Sequence, residues 1–298
     1  QFIDALGLAA KRGVRVDVTI DGWGSLYGGN VVEAQLRGAG CEVKIFGRIR
    51  SLLISRFGRN HRKILLIDDV VAFVGGINIV DDIDAAHPAP PRFDYAVRVE
   101  GPLLVPIHTT VRRLWTLVSW ASFRRRLRLP ATLPVTAEPR GSTRAAFVIR
   151  DTLRHRRDIE EAYLEAIGKA QKEIVLANAY FLPGRRFRQV LLAAAARGVQ
   201  VTILLQGRIE YALQHYATQS LYDMLLGAGV RIFEYHHSYL HAKVGVIDCC
   251  WATVGSSNID PFSLLLAREA NVFVDDREFA SRLHASLETA MRDGAREL

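Results

Sequence analysis

One pattern occurs twice in this chain and constrains its fold more than any other feature. The first copy runs His61-Arg62-Lys63, four residues, Asp68, six residues, Gly75-Gly76-Ile77-Asn78; the second runs His241-Ala242-Lys243, four residues, Asp248, six residues, Gly255-Ser256-Ser257-Asn258. Spacing that agrees at every step implies one folded unit used twice. Each copy predicts a β-hairpin, with Ile64 to Ile67 and Val244 to Ile247 as outgoing strands and Val70 to Val74 and Trp251 to Val254 as returns. His and Lys two apart then share a face. Two-residue turns at Asp69-Val70 and Cys249-Cys250 would set His61 opposite Asn78, Lys63 opposite Gly76, His241 opposite Asn258 and Lys243 opposite Ser256. Neither turn has Asn-Gly, so a one-residue slip stays open. Asp68 and Asp248 fall at the turns and are expected to be structural, not catalytic.

The residue types point to phosphoryl transfer. Two imidazoles can divide the labour, one attacking phosphorus as a neutral nucleophile and the other protonating the leaving alcohol. Lys63, Lys243, Asn78, Asn258 and the Gly76 and Ser256 positions would hold the non-bridging oxygens, with no metal or other cofactor required.

Around the hairpins the halves repeat more loosely. A helix from Phe2 to Lys11, Gly13 and a strand from Val14 to Ile20 return as Val190 to Arg197, Gly198 and Val199 to Leu205, an offset of 185 (198 − 13) that also relates Asp21 to Gln206. Val31 to Leu36, Gly38-Ala39-Gly40 and Glu42 to Phe46 return as Tyr216 to Leu226, Gly227-Ala228-Gly229 and Arg231 to Tyr235. The second half also has a helix, Asp158 to Lys172, and a strand, Glu173 to Ala179, with no partner in the first. The expectation is that the chain begins inside its first helix. After the first hairpin a strand, Tyr95 to Val99, and a helix, Val105 to Phe123, are expected, and a closing helix spans Glu278 to Arg292. Pro130, Pro134, Pro139 and Gly141 mark a linker. The expected division is a first half over 1–130, a linker over 131–143 and a second half over 144–298.

Two stretches combine basic and apolar residues: Gly47 to Asn60, with four arginines around Leu52-Leu53-Ile54, and Trp115, Trp120, Phe123 followed by Arg124-Arg125-Arg126-Leu127-Arg128. Each fits either a solvated or packed surface or a segment touching anionic headgroups. A net charge of +8 over 298 residues favours an anionic partner, nucleic acid or acidic lipid. Three cysteines make no disulfide framework. No apolar run is long enough to span a bilayer.

The paired motif resembles the His-Lys-Asp signature of the phospholipase D superfamily. The strings HRKILLID, VGGINI, LHAKVGVID, ATVGSSNIDPFSLLLAREAN, ANAYFLPG and DGWGS are similar to bacterial cardiolipin synthases within it. The resemblance implies an α/β fold of two pseudo-symmetric α/β/α sandwich halves, each with a mixed sheet, sharing one active site at their interface. It also implies that His61 forms a phosphohistidine while His241 serves as acid and then base, a symmetry that the residues alone leave unbroken. It places orienting carboxylates at Glu269 and, across a longer segment, Asp94. Gly76 stands where the family commonly has Ser, which would remove one hydroxyl from the phosphate cradle and keep its backbone donor.

The implied function is a phosphatidyltransferase making cardiolipin from phosphatidylglycerol or a related donor. Its partners would be anionic phospholipid substrates and a membrane surface, at the cytoplasmic face of the bacterial inner membrane as a peripheral protein. The alternatives are a phospholipase D-type hydrolase, a nuclease or other phosphodiesterase of the superfamily, and a non-catalytic lipid-binding member. Nucleic acid is disfavoured because the basic residues cluster beside leucine and tryptophan, with no stacking platform beyond Tyr235 and Tyr239.

Overall fold

A computed structural model describes residues 1–25, 29–47, 59–79, 90–121, 138–151 and 154–298. The first half runs α1 (Phe2–Lys11), β1 (Asp17–Asp21), α2 (Gly29–Gly38), β2 (Glu42–Phe46), β3 (Lys63–Ile67), β4 (Val71–Gly75), β5 (Ala96–Val99) and α3 (Leu104–Ala121). The second runs β6 (Arg144–Arg150), α4 (Asp158–Lys169), β7 (Glu173–Asn178), α5 (Arg185–Ala196), β8 (Gln200–Gln206), α6 (Ala212–Gln219), α7 (Tyr222–Gly227) and β9 (Arg231–Tyr235). It continues with β10 (Lys243–Ile247), β11 (Trp251–Gly255), a π-helical turn (Phe262–Leu266), β12 (Glu269–Asp275), α8 (Arg277–Gly294) and β13 (Ala295–Glu297).

The second half builds one mixed sheet in the order β13-β9-β8-β7-β10-β11-β12-β6, parallel through β7, β8 and β9 and antiparallel elsewhere. In the first half β1 pairs with β2 in parallel, and β3-β4-β5 form an antiparallel sheet. The position that β7 fills between β8 and β10 has no strand among the described residues of the first half, so its strands make two sheets. Apolar faces explain the packing. Ile159, Tyr163, Ile167 and Leu191 of α4 and α5 cover one face of the large sheet, and Ala280, Leu283 and Leu287 of α8 cover the other. A third cluster crosses between halves: Ala72, Val74, Val99, Leu104 and Ile107 meet Ala270, Val272 and Val274. Strand alternation delivers each set, and this shared core holds the two hairpins against one another.

The hairpin register takes the one-residue slip. Lys63 lies opposite Gly75 and Val244 opposite Val254, not one residue further on. The cause is the turn. The Val70 N–H donates to the Ile67 carbonyl around Asp68 and Asp69, both at positive φ (52° and 55°), and Cys250 does the same to Ile67's counterpart Ile247 around Asp248 and Cys249 (51° and 48°). Two left-handed central residues make a type I′ geometry, which Asp tolerates through its short polar side chain. Val70 and Cys250 are left over between turn and ladder and displace the pairing by one.

Asp248 also ties the turn to the sheet. Its carboxylate accepts from the backbone N–H groups of Gln171, Lys172 and Glu173 at 2.7–2.9 Å, where α4 hands over to β7. Asp68, its counterpart, is exposed. Asp248→Ala is expected to cost about 2–3 kcal/mol, because three donors lose their acceptor and a Cβ without a polar group enters the left-handed region. Asp248→Asn, which keeps an acceptor, should cost about half as much. Urea unfolding of both variants checks this, and equal losses would sink the capping explanation.

Other expectations shift at their edges. The helix expected over Tyr216 to Leu226 breaks at Ser220-Leu221 into α6 and α7, and β6, which has no counterpart in the motif pattern, closes the sheet beside β12. Most of the Gly47 to Asn60 stretch, Phe123 to Arg128 and much of the expected linker lie outside the described residues.

Candidate active site

Both motif histidines sit just before their strands and are gripped by the opposite half. The His61 N–H donates to the Arg268 carbonyl and the His241 N–H to the Phe93 carbonyl, at 2.9 and 2.8 Å. The preceding residue is fixed by the pair related by the 185-residue offset: Asp21 Oδ1 accepts from the Asn60 N–H at 3.0 Å, and Gln206 Oε1 accepts from the Leu240 N–H at 3.0 Å. Two different side chains thus perform one positioning task in the two halves.

The orienting carboxylates cross over. His61 Nδ1 lies 3.0 and 3.2 Å from the two oxygens of Glu269, and His241 Nδ1 lies 2.6 Å from Asp94 Oδ2. Each half therefore supplies the acceptor for the other half's imidazole, and a hydrogen on Nδ1 leaves the Nε2 lone pair facing the site. His241 Nε2 is 3.4 Å from Asn78 Nδ2. Lys63 Nζ donates to the His61 carbonyl at 2.8 Å, and Lys243 Nζ to the His241 carbonyl while lying 3.0 Å from His241 Nδ1. Asn258 is buried, with its Oδ1 unpartnered among the described residues.

Burial sets the charges. Desolvation pushes His241 down to about 4, aided by Lys243 and opposed by Asp94, and pushes His61 below its ordinary value against the pull of Glu269. Lys63 falls to about 7 and Lys243 to about 8, again through desolvation, with the carboxylates opposing. Burial alone would raise Glu269, but His61, Lys63 and the Ser256 hydroxyl more than offset it and keep it ionised. The site is electrostatically one object, because each histidine feels the other half's lysine. The unfolded chain binds these lysine protons more tightly, so the empty fold gains stability as pH rises from about 7 towards 10.

Gly76 and Ser256 are engaged with neighbouring strands and carboxylates. Their N–H groups are spent on strand pairing, to the Tyr95 and Ala270 carbonyls. The Ser256 hydroxyl donates to Glu269 Oε2 at 2.5 Å and accepts from the Ala270 N–H, so it serves the carboxylate. At Gly76 an added Cβ would stand 2.3 Å from Asp94 Oδ1. Aspartate, one methylene shorter than glutamate, occupies the space that Ser256 takes in the other half. Gly76→Ser is expected to dislodge Asp94 and lower turnover about 10²-fold, and Gly76→Ser with Asp94→Glu, which copies the Ser256–Glu269 arrangement, should recover at least tenfold of it. A double variant no better than the single one would sink this pairing.

The motif pattern did not disclose two arginines, the half-buried Arg62 and the buried Arg150. Arg62 donates to the carbonyls of Glu269 and Arg150, and Arg150, 2% exposed, donates to that of Ala267, so three backbone carbonyls of the second half are bound by guanidinium groups. Only Arg62's place inside the first motif could have hinted at it.

Comparison with known proteins adds a family and a fold. A family model described as cardiolipin synthase, phospholipase D-like domain, matches residues 1–82 and 163–291. Cardiolipin synthase B of Shigella flexneri is 38% identical over 290 residues, 96% of this chain and 70% of that protein. The major cardiolipin synthase of Bacillus subtilis is 31% identical over 287 residues, 94% of this chain and 58% of that one. The crystal structure of phosphatidylserine synthase from Haemophilus influenzae aligns over 100% of this chain and 85% of its own, with a TM-score of 0.67 at 12% identity, a likeness of fold.

Proposed function

The chain belongs to the cardiolipin synthase family with the phospholipase D-like domain, and we propose that it joins two phosphatidylglycerol molecules into cardiolipin through a phosphohistidine. The observation that carries the mechanism is the crossed clasp of two neutral imidazoles, each held by the other half's carboxylate beside its own motif lysine. His61 Nε2 attacks phosphorus, the bond to the glycerol headgroup breaks, and His241 gives its proton to the departing oxygen. A hydroxyl of the second phospholipid then attacks phosphorus and returns a proton to His241 as the P–N bond breaks. Glycerol and cardiolipin leave, and both histidines are restored. The contact from Asn78 to His241 Nε2, with none to His61 Nε2 among the described residues, supports His61 as the attacking group.

Substrate supplies the missing charge. An anionic phosphodiester among two imidazoles and two amines raises all four pKa values, so binding protonates the lysines and makes the acid's proton available. Lys63, Lys243, Asn78 and Asn258 then hold the non-bridging oxygens. From this, kcat/KM is expected to fall as pH rises through about 7 to 8, where Lys63 and Lys243 lose their protons. A profile flat to pH 9 would remove the lysines from phosphate binding.

The protein acts at an anionic membrane surface, as a peripheral protein of the cytoplasmic face of the inner membrane. Ile77 and Ile79 flank Asn78 at 51% and 65% exposed, and Phe262, Leu265 and Leu266 stand out just past Asn258. Apolar side chains beside a site on a chain of net charge +8 suit an acidic lipid interface. No helix among the described residues is long and apolar enough to cross a membrane. The test is incubation with phosphatidylglycerol vesicles and a chelator, with lipids resolved by chromatography. Cardiolipin is expected; phosphatidic acid alone would make the protein a hydrolase, and no lipid turnover would send the search to another phosphodiester.

A further inference from the structure

At the end of β10 opposite His241, the type I′ turn brings a thiol, an imidazole and a carboxylate together. Cys249 Sγ donates to Glu173 Oε1 at 2.9 Å, and Glu173 Oε2 lies 3.1 Å from His284 Nε2. One ligating atom from each of the three residues falls within 4.8 Å of the others. They come from three elements: the hairpin turn, the first position of β7 and the middle of α8. The His284 and Glu173 side chains are 16% and 26% exposed, and Cys249 is half-buried, so an ion has a path from solvent. The backbone beneath is already fixed. The Asp248 N–H donates to the Glu173 carbonyl at 3.0 Å and the Glu173 N–H to Asp248 Oδ1 at 2.9 Å, which clamps the turn to the start of β7.

Three observations point to a cation. Cys249 occupies the left-handed region at φ 48°, a place that Gly, Asn or Asp fills at lower cost, so the thiol stands against the turn's own preference. The first half differs at this point: its turn carries Asp69, whose Oδ1 lies 3.5 Å from His108 Nε2 on α3, a pair that needs no metal. Cysteine in place of that aspartate gives a soft donor, and β7, without a counterpart among the described residues of the first half, adds a third ligand. Glu173 also makes no ion pair with a lysine or arginine among the described residues, so its charge falls on His284 alone. Finally, Glu288 Oε2 lies 3.6 Å from His284 Nδ1. A carboxylate at the outer nitrogen favours the tautomer that turns the Nε2 lone pair inward, as for histidines that bind metals.

We propose that Cys249, His284 and Glu173 form a site for zinc or a similar borderline-soft divalent ion, with water at the fourth position of a tetrahedron. Magnesium and calcium, which take oxygen ligands, would leave the thiol unused. On binding, the Sγ–metal bond forms as the Sγ–H bond breaks and the proton passes to solvent, so thiolate and carboxylate balance the ion's two charges. His284 contributes its Nε2 lone pair, with its hydrogen on Nδ1. The ion fastens β7, the hairpin turn and α8 to one another and takes no part in the phosphoryl transfer at the other end of β10.

The test is cobalt substitution in the full chain, with thiols reduced and metal first removed. Stoichiometric Co²⁺ is expected to give a thiolate-to-cobalt charge-transfer band in the near ultraviolet, and Zn²⁺ should erase it by displacement. Cys249→Ser, which keeps a donor to Glu173, should lose the band, and Cys250→Ser should keep it. His284→Gln and Glu173→Gln should weaken Co²⁺ binding at least about tenfold each, and Glu288→Gln about tenfold. Zn²⁺ at about a hundredfold its dissociation constant should raise the Tm of the unaltered protein by about 5 °C, with no rise from Mg²⁺. An unaltered protein without the band would overturn the site, as would a band that survives Cys249→Ser or vanishes in Cys250→Ser. Where a variant does not fold by circular dichroism, the unaltered protein decides: a Tm raised by Zn²⁺ alone supports the site, and equal Tm values with Zn²⁺ and Mg²⁺ overturn it.

Discussion

His61→Ala is expected to lower cardiolipin formation about 10⁴-fold or more, and His241→Ala by a similar factor, with the two variants failing at different steps. The difference shows with a phosphodiester whose leaving group is an activated phenol, which departs without a proton. His241→Ala should then release a stoichiometric burst of phenol and stall, because the phosphohistidine forms but no base activates the alcohol. His61→Ala should release none. The geometry allows either histidine to be the nucleophile in principle, since both present Nε2 to the site with Nδ1 on a carboxylate. A burst confined to His61→Ala would exchange the two roles. Truncation leaves Glu269 with the Ser256 hydroxyl, so the fold should persist, as circular dichroism would report. His61→Asn, which keeps a donor near Glu269, controls for any loss of packing.

The duplicated motif made the hairpins and the two-half α/β architecture legible, because period-two apolar strands between repeated polar anchors admit few other arrangements. The repeat even paired Asp21 with Gln206 before their shared task was visible. Register was lost because Asp-Asp and Asp-Cys carry the type I′ turns without glycine, and turn chemistry is the only local signal that could have placed Val70 and Cys250 outside the ladder. The crossed clasp was hidden for a different reason. Spacing relates Glu269 to His241 and Asp94 to His61 within each half, while the contacts join Glu269 to His61 and Asp94 to His241, which depends on how the shared core packs. The same packing hid what Ser256 and Gly76 touch: the Ser256 hydroxyl meets Glu269 and the space at Gly76 is taken by Asp94, contacts that depend on the length of each carboxylate.

Glu269→Gln is expected to lower turnover about 10²–10⁴-fold while leaving lipid binding nearly intact. Glutamine is isosteric, so Ser256 and the Arg62 contact to the Glu269 backbone keep their places. What disappears is a fully buried negative charge that the histidine needs most when its ring becomes cationic on bonding to phosphorus. The amide can also present N–H to Nδ1, which selects the wrong tautomer and turns Nε2 into a donor. The pH profile separates this from simple damage. Glu269 raises the pKa of both His61 and Lys63, so its removal lowers both further, and the alkaline limb assigned to Lys63 should move below about 7. Asp94→Asn should cost a similar factor, but through His241. It should therefore keep the phenol burst that Glu269→Gln loses. A Glu269→Gln enzyme within tenfold of the unaltered one, with its alkaline limb unmoved, would reduce the clasp from a catalytic device to a packing contact between the halves.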